Sequence, residues 1–245
     1  MKLYAAAVGL SVLGSFGGVV AASTFLLLGD GLRVKVLPWA ISYAVGTLLG
    51  VALLALLPEA LEKLRPAAAL STLLAGVLAF FLLEKLVLWR HCHDTDECAV
   101  HTSSAASLVI IGDAFHTFVD GTVIAAAVLT SIPLGITTAL AVATHEIPQE
   151  VGDVAILLRA GYSRSRAFTL NVLSGIGGIL GAAGMIAASH VIPPLLPYVL
   201  AFAAGNFLYV AMSDLIPDLH RGGLEGGPVR QLLLIGAGIL TIVAL

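Results

Sequence analysis

The sequence predicts an all-α membrane protein, and three observations support that fold class. Of the 245 residues, 59% are hydrophobic and only 11% are charged, whereas soluble domains average about 25% charged residues. The mean hydropathy is +1.03. The apolar residues occur in runs long enough to cross the ~30 Å hydrocarbon core of a bilayer as helices, and no run shows the alternation typical of a membrane β-barrel.

Eight such runs predict eight transmembrane helices in one domain over residues 1–245, and we number them spans 1 to 8. Span 1 is preceded by only one basic residue, Lys2, so we expect a membrane span there rather than a signal peptide. Span 8 is short for a full crossing. The predicted limits are residues 3–28, 36–58, 67–90, 104–129, 132–160, 166–191, 194–217 and 230–245.

Two spans share a pattern that predicts an inverted repeat. Gly46 in span 2 is followed twelve residues later by Pro58, and Gly205 in span 7 is followed twelve residues later by Pro217. The Gly-rich centres of spans 1 and 6 are also similar. Alternating spans run these segments in opposite directions, so we predict an inverted repeat of spans 1–3 and 6–8 around a central pair, spans 4 and 5.

The distribution of charge excludes nucleic-acid binding and predicts an orientation. The formal net charge is −3 and there is no basic run, so the chain offers no basic patch to a phosphate backbone. The basic residues concentrate at one side of the membrane, which predicts that this side is cytosolic and that both termini lie outside. Eight lie on that side and three on the other: Arg33, Lys35, Arg90, Arg159, Arg164, Arg166, Arg221 and Arg230, against Lys2, Lys63 and Arg65.

Spans 4 and 5 each carry a cluster of polar and ionisable residues near the midpoint. Such groups cost several kcal/mol at this depth unless they are paired, hydrated or bound to metal. Residues three and four apart share a helix face, so the two clusters can surround one cation, although structural pairing among them is the alternative. The clusters are Asp113, His116 and Asp120 in span 4, and His145, Glu146, Gln149, Glu150 and Asp153 in span 5.

Two further features favour a metal ion over structural pairing. Imidazole and carboxylate together suit zinc, iron, cobalt or manganese better than the all-oxygen sets preferred by calcium or magnesium. Pro148 lies inside the span 5 cluster. It lacks an N–H group, so we expect it to free the Thr144 carbonyl and to kink the helix beside His145.

The motifs of spans 4 and 5 resemble those of the ZIP (Zrt-/Irt-like) metal transporters. The resemblance rests on HTFVDG at 116–121 and HEIPQEVGD at 145–153, and it extends to 155–174 and 204–218. It implies eight helices with both termini outside and a pathway for divalent metal between spans 2, 4, 5 and 7. The implied transport direction is toward the cytosol.

Carried over from that family, six residues would form the metal site: His116, Asp120, His145, Glu146, Gln149 and Glu150. The chain departs from the family pattern at four positions. Thr117 replaces an asparagine, Gln149 replaces a second histidine, Ala55 stands where span 2 often supplies a histidine, and Gly178 aligns with an acidic ligand of span 6. We therefore expect a single, weaker site, with accessory or pathway roles for Asp113, Thr117, Asp153, Asn206 and Asp214.

The polar segment at residues 91–103, between spans 3 and 4, contains further metal-ligating side chains. Family members often carry histidine-rich sequence there, so the resemblance suggests a cytosolic loop that captures metal. A solvated connector is the alternative. The candidate ligands are His91, Cys92, His93, Asp94, Cys98 and His101.

The sequence therefore predicts a carrier that imports a divalent transition metal, with zinc first and iron, manganese, cobalt or cadmium as alternatives. We expect it in the plasma (inner) membrane, with metal ions and lipid as partners, no organic cofactor, and small residues in spans 3 and 8 that would allow a homodimer. Two other functions stay open. HEIPQ differs by one residue from the HExxH motif of zinc metalloproteases, and a membrane metal sensor would need the site without transport.

Overall fold

The computed structural model describes residues 2–26, 30–89, 101–191, 194–221 and 227–245, and these are almost entirely helical. In chain order, the α-helices are α1 (Lys2–Leu26), α2 (Asp30–Gly50), α3 (Leu57–Lys63), α4 (Pro66–Trp89), α5 (His101–Thr130), α6 (Ile132–Arg159), α7 (Arg164–Ser174), α8 (Ile176–Val191), α9 (Leu195–Tyr209), α10 (Ile216–Arg221) and α11 (Pro228–Ala244). Two π-helical segments, Val51–Leu56 and Val210–Leu215, join α2 to α3 and α9 to α10.

This architecture confirms the predicted all-α membrane fold. Within the described ranges, five stretches are long and apolar enough to cross a bilayer: Lys35–Lys63, Pro66–Leu83, Ile110–Thr130, Arg164–Val191 and Leu195–Leu215. The α6 helix, with 28 residues, falls outside this set because the polar cluster of span 5 lowers its hydropathy. The count of eight spans stays a prediction.

The helices depart from the predicted spans in two places. Span 6 is interrupted at Gly175, so it forms α7 and α8 rather than one helix. The α5 helix begins at His101, which places the end of the predicted 91–103 loop inside a helix. By contrast, the α6 helix is continuous through Pro148, which agrees with the predicted span 132–160.

The π-helical segments occupy equivalent positions in spans 2 and 7. Each begins five residues after the shared glycine, Gly46 or Gly205, and ends two residues before the shared proline. A π-helical turn is rare and is often associated with function. Its occurrence at both positions agrees with the inverted repeat.

The helix interfaces follow the same symmetry. The α2–α11 interface corresponds to the α9–α4 interface, and α1–α6 corresponds to α8–α5; these are the four most extensive interfaces among the described residues. A side chain at Gly46 would collide with the Ile235 carbonyl of α11, and one at Gly205 would collide with the Leu73 carbonyl of α4. Equivalent glycines therefore allow equivalent close helix packing.

The helices also divide into two groups by their packing. The α1, α5, α6, α7 and α8 helices pack mainly against one another, and we call them the site group. The remaining helices pack around the α2–α11 and α4–α9 interfaces, and we call them the flanking group. Each group draws on both halves of the repeat, and the site group holds the polar clusters of spans 4 and 5.

Candidate metal centre

The polar residues of α5 and α6 meet where these helices pack together. Asp120 follows His116 by one helical turn, so both project from one face of α5. His145 and Glu146 project from α6 near its midpoint. All four side chains are buried, with exposures between 0% and 8%. The structure therefore brings together four of the six residues expected at the metal site in one enclosed cluster.

The four ligating atoms of this cluster lie close together without forming a salt bridge to any described lysine or arginine. The two imidazole Nε2 atoms of His116 and His145 are 3.2 Å apart. The Asp120 Oδ2 atom lies 3.5 Å from the first Nε2 and 3.4 Å from the second. The Glu146 Oε1 atom lies 3.8 Å from each.

These distances match the edges of a coordination tetrahedron. Zinc binds imidazole nitrogen and carboxylate oxygen at about 2.0–2.1 Å, so the edge of a regular tetrahedron around it is roughly 3.3–3.4 Å. Five of the six edges here measure between 3.2 and 3.8 Å. Small side-chain shifts would bring two nitrogen and two oxygen ligands onto one transition-metal ion.

The carboxylate oxygens of the cluster lack hydrogen-bond donors among the described residues. Both oxygens of Asp120 and both oxygens of Glu146 are buried and accept no hydrogen bond within the described part of the chain. A buried charged oxygen without a partner is strongly unfavourable. A bound cation would satisfy these oxygens and would also separate the two facing imidazole nitrogens.

Neighbouring groups hold the histidine rings in place. The Nδ1–H group of His145 donates a hydrogen bond of 3.1 Å to the Ala141 carbonyl, which leaves the Nε2 lone pair free for a metal. The ring of Phe207 lies 5.9 Å from the His145 ring, and the ring of Phe80 lies 6.0 Å from the His116 ring. These contacts fix the imidazole planes at the site.

Two glycines bring α1 and α8 against the site. A side chain at Gly18 of α1 would collide with the Glu146 side chain, and one at Gly177 of α8 would contact the Thr117 hydroxyl at 3.1 Å. Glu146 and Thr117 are the residues that directly follow the two site histidines. The similar Gly-rich centres of spans 1 and 6 therefore allow α1 and α8 to pack closely on two sides of the candidate metal centre.

A second group of carboxylates adjoins the first. Ligand atoms of Asp113, Glu146 and Glu150 lie within 4.8 Å of one another, so Glu146 belongs to both groups. The Asn171 amide of α7 donates a hydrogen bond to Glu150, and the Ser174 hydroxyl donates one to Asp113. The other carboxylate oxygen of each residue, Asp113 Oδ1 and Glu150 Oε1, accepts no hydrogen bond from a described residue.

The α7 helix supports the carboxylates of α5 and α6 through hydrogen bonds, a role that the sequence alone does not predict. From the sequence, Asn171 and Ser174 of span 6 fit two roles equally well, lining the pathway or forming a hydrogen bond to another helix. The structure places both side chains in hydrogen bonds that cross to α5 and α6. The interruption at Gly175 directly follows them, so α7 is a short separate helix beside the carboxylates.

The other predicted residues take different positions. Gln149 is only half-buried, beside the Asp113 carboxyl, and Asp153 is half-buried one turn further along α6. The Thr117 hydroxyl donates to the Asp113 carbonyl at 2.6 Å, so it is engaged by backbone. Asn206 is fully buried in α9, whereas Asp214 is exposed in the second π-helical segment. None of these five belongs to the four-residue cluster.

Most of the predicted loop ligands lie outside the described residues. This applies to His91, Cys92, His93, Asp94 and Cys98. His101 is the first residue of α5. Metal capture by the 91–103 segment stays a prediction.

The fold and the buried cluster together define a helical membrane protein whose interior holds a His/carboxylate cluster compatible with a divalent cation. The family model described as "ZIP Zinc transporter" matches residues 89–245 of the chain. The chain belongs to the ZIP family of metal transporters. This membership confirms the function class, divalent-metal transport, and the expectation that the chain is not an enzyme, so the metalloprotease reading of HEIPQ is excluded.

Named relatives agree with the family model. The chain is 34% identical to zinc transporter ZIP13 of Pongo abelii over 237 residues, which cover 89% of this chain and 70% of the relative. It is 31% identical to ZIP13 of Homo sapiens over 274 residues, covering 89% and 74%. A shorter match of 38% identity over 152 residues relates it to zinc transporter ZIP10 of Danio rerio, covering 58% and 18%.

Proposed function

We propose that the protein imports Zn²⁺ into the cytosol and that the transported ion binds to His116, Asp120, His145 and Glu146. The observation that carries this proposal is the set of five distances of 3.2 to 3.8 Å between their ligating atoms. Two imidazoles and two carboxylates form a ligand set that suits zinc. The relatives named above are described as zinc transporters, which favours the same ion.

The second carboxylate group, formed by Asp113, Glu146 and Glu150, can receive the ion from the His/carboxylate site. Because Glu146 belongs to both groups, an ion can exchange one set of ligands for the other without leaving coordinating oxygen. Asp153 lies beyond Glu150 on α6 and extends the polar track. Under the orientation predicted from the basic residues, this track leads from the His/carboxylate site toward the cytosol, with both termini outside and the protein in the plasma membrane.

Transport requires that the site be reached from each side in turn. The ligands of the site all belong to the site group of helices, whereas the flanking group contributes the Phe80 and Phe207 rings against them. We propose that the site group moves relative to the flanking group and carries the ion with it. The glycine-mediated close contacts of α2 with α11 and of α4 with α9 would keep the flanking group rigid.

Flux through purified protein tests this proposal. Proteoliposomes are offered Zn²⁺, Fe²⁺, Mn²⁺, Co²⁺ and Cd²⁺ separately, and uptake is compared for wild type, His145→Ala and Asp120→Ala. Saturable Zn²⁺ uptake that both variants lose, while their helical circular dichroism stays intact, is the expected result. Uptake retained by both variants would contradict the site, and stoichiometric binding without flux of any metal would indicate a sensor instead.

A matched histidine variant controls for general damage. His190 lies near the end of α8 and is exposed, and its ring centre is 5.3 Å from that of Tyr4. His190→Ala removes an imidazole far from the cluster, so Zn²⁺ uptake is expected to stay at the wild-type rate.

A further inference from the structure

A cavity with a mixed lining opens at the end of the bundle where α3 and α5 end and α9 begins. Its volume is about 550 Å³. Glu59, Lys63, Thr130 and Tyr198 contribute polar groups to its lining, and prolines and leucines form the rest. The cavity is therefore a mixed surface at the membrane boundary, away from the metal-binding cluster at the centre of α5 and α6.

The cavity contains one acid and one base that form no ion pair within the described part of the chain. Glu59 and Lys63 lie one turn apart on α3, yet neither forms an ion pair or hydrogen bond with another described residue through its side chain. Glu59 is partly buried and Lys63 is exposed. The cavity therefore presents a carboxylate and an ammonium group side by side, which complements a ligand that carries one charge of each sign.

An apolar groove adjoins this cavity at membrane depth. Its volume is about 330 Å³, and its walls are almost wholly apolar. It is lined by Thr72 of α4, by Phe118 and Thr122 of α5, and by Phe202 of α9. Tyr198 lines both the cavity and the groove, so the two spaces meet at its side chain.

The cavity and the groove together extend over about the depth of one bilayer leaflet. Thr130 lines the cavity and Phe118 lines the groove, twelve residues earlier on α5, which corresponds to about 18 Å along the helix. Half of a bilayer's hydrocarbon core is about 15 Å. An acyl chain whose headgroup lies in the cavity would therefore reach the bottom of the groove.

The groove also lies at a boundary between the two helix groups. Its α5 wall belongs to the site group, and its α4 and α9 walls belong to the flanking group. The α4 and α5 helices contact each other only slightly. A ligand in the groove would fill the space that direct packing of these helices leaves open.

We propose that this cavity and groove form a specific binding site for a phospholipid with a primary ammonium headgroup, such as phosphatidylethanolamine. The Lys63 ammonium binds the lipid phosphate, the Glu59 carboxylate accepts hydrogen bonds from the lipid ammonium, and one acyl chain occupies the groove past Tyr198. A choline headgroup has no N–H group to donate to Glu59. A glycerol headgroup has no cation at all.

Native mass spectrometry of the purified full-length chain tests the headgroup part of the proposal. The protein is titrated with phosphatidylethanolamine, phosphatidylcholine and phosphatidylglycerol of identical acyl chains. Wild type is expected to retain phosphatidylethanolamine about fivefold more tightly than phosphatidylcholine, the upper end of what an exposed ion pair contributes. Glu59→Gln is expected to remove most of that preference, whereas Lys63→Gln is expected to weaken retention of all three lipids, because the phosphate that Lys63 binds is common to them.

The chain offers matched controls close in sequence to Glu59 and Lys63. Glu62 and Arg65 are exposed at the same end of the bundle and do not line the cavity. Glu62→Gln and Arg65→Gln are therefore expected to keep the preference. Equal retention of ethanolamine and choline lipids by wild type, tighter binding of phosphatidylglycerol, or the same loss in the control variants would each overturn the proposal.

A groove variant tests the acyl-chain part separately. Thr122→Leu adds side-chain volume to the groove and leaves both charged residues in place. We expect it to weaken retention of all three lipids while Zn²⁺ binding at the central site persists, which shows that the variant is folded. Unchanged lipid retention in this variant would contradict occupancy of the groove.

Discussion

Replacing His145 by alanine is expected to weaken Zn²⁺ binding by about 100-fold. The substitution removes one of four ligating atoms. The lost Nε2 atom lies 3.2 Å from His116 Nε2, 3.4 Å from Asp120 Oδ2 and 3.8 Å from Glu146 Oε1. It therefore takes part in three of the five close distances that define the site.

The expected loss of zinc affinity can be worked out from the role of the lost ligand and from the three ligands that remain. Loss of an outer partner of a metal ligand already costs 10- to 100-fold in affinity, and loss of the ligand itself costs at least the upper value. A 100-fold change corresponds to about 2.8 kcal/mol. Binding is not expected to vanish, because three protein ligands and one water molecule form a common zinc site.

Competition with a fluorescent zinc chelator measures this change on purified protein. His190→Ala serves as the control, since the His190 side chain is exposed and distant from the cluster. Uptake at a zinc concentration near the wild-type Kd is expected to fall in parallel with affinity. A His145→Ala protein that binds zinc within threefold of wild type would refute the assignment of this nitrogen as a ligand.

Three further predictions concern packing, ligand support and pH. Gly121→Ala is expected to lower the Tm strongly because the added methyl group would collide with the Gly178 carbonyl of α8, whereas Gly152→Ala, with open space around it, is expected to be tolerated in the same thermal melt. Asn171→Ala removes the hydrogen bond to Glu150, so we expect about a 10-fold loss in maximal Zn²⁺ uptake, measured in proteoliposomes, with little change in folding. Imidazole and carboxylate ligands bind metal only when deprotonated, so zinc affinity is expected to fall as the pH is lowered; an affinity that does not change as the medium is acidified would contradict a His/carboxylate site.

Periodicity and chemistry predicted that the polar side chains of α5 and α6 lie together. The spacing of His116 and Asp120 on one helix, and the position of His145 on the next, placed three candidate ligands at the same membrane depth. The cost of isolated ionisable groups in lipid then required them to face one another. The structure agrees because these constraints are local to two adjacent helices.

Other features depend on contacts between distant parts of the chain. Asn171 and Ser174 support the carboxylates only because α7 is separated from α8 at Gly175, and no local pattern distinguishes that interruption from a continuous span. The division of carboxylates into two groups also required the structure, because Glu146 and Glu150 share one helix stripe. The matching glycine and proline positions of spans 2 and 7 indicated equivalence but not the π-helical geometry.

X-ray absorption at the zinc K edge tests the central claim most directly, on full-length protein loaded with one equivalent of Zn²⁺. We predict four nitrogen or oxygen scatterers at about 2.0–2.1 Å, with the multiple-scattering signal of two imidazoles that falls to one imidazole in His145→Ala. A shell containing sulfur at about 2.3 Å, or six oxygens without imidazole, would contradict the claim that the buried cluster of α5 and α6 holds the ion.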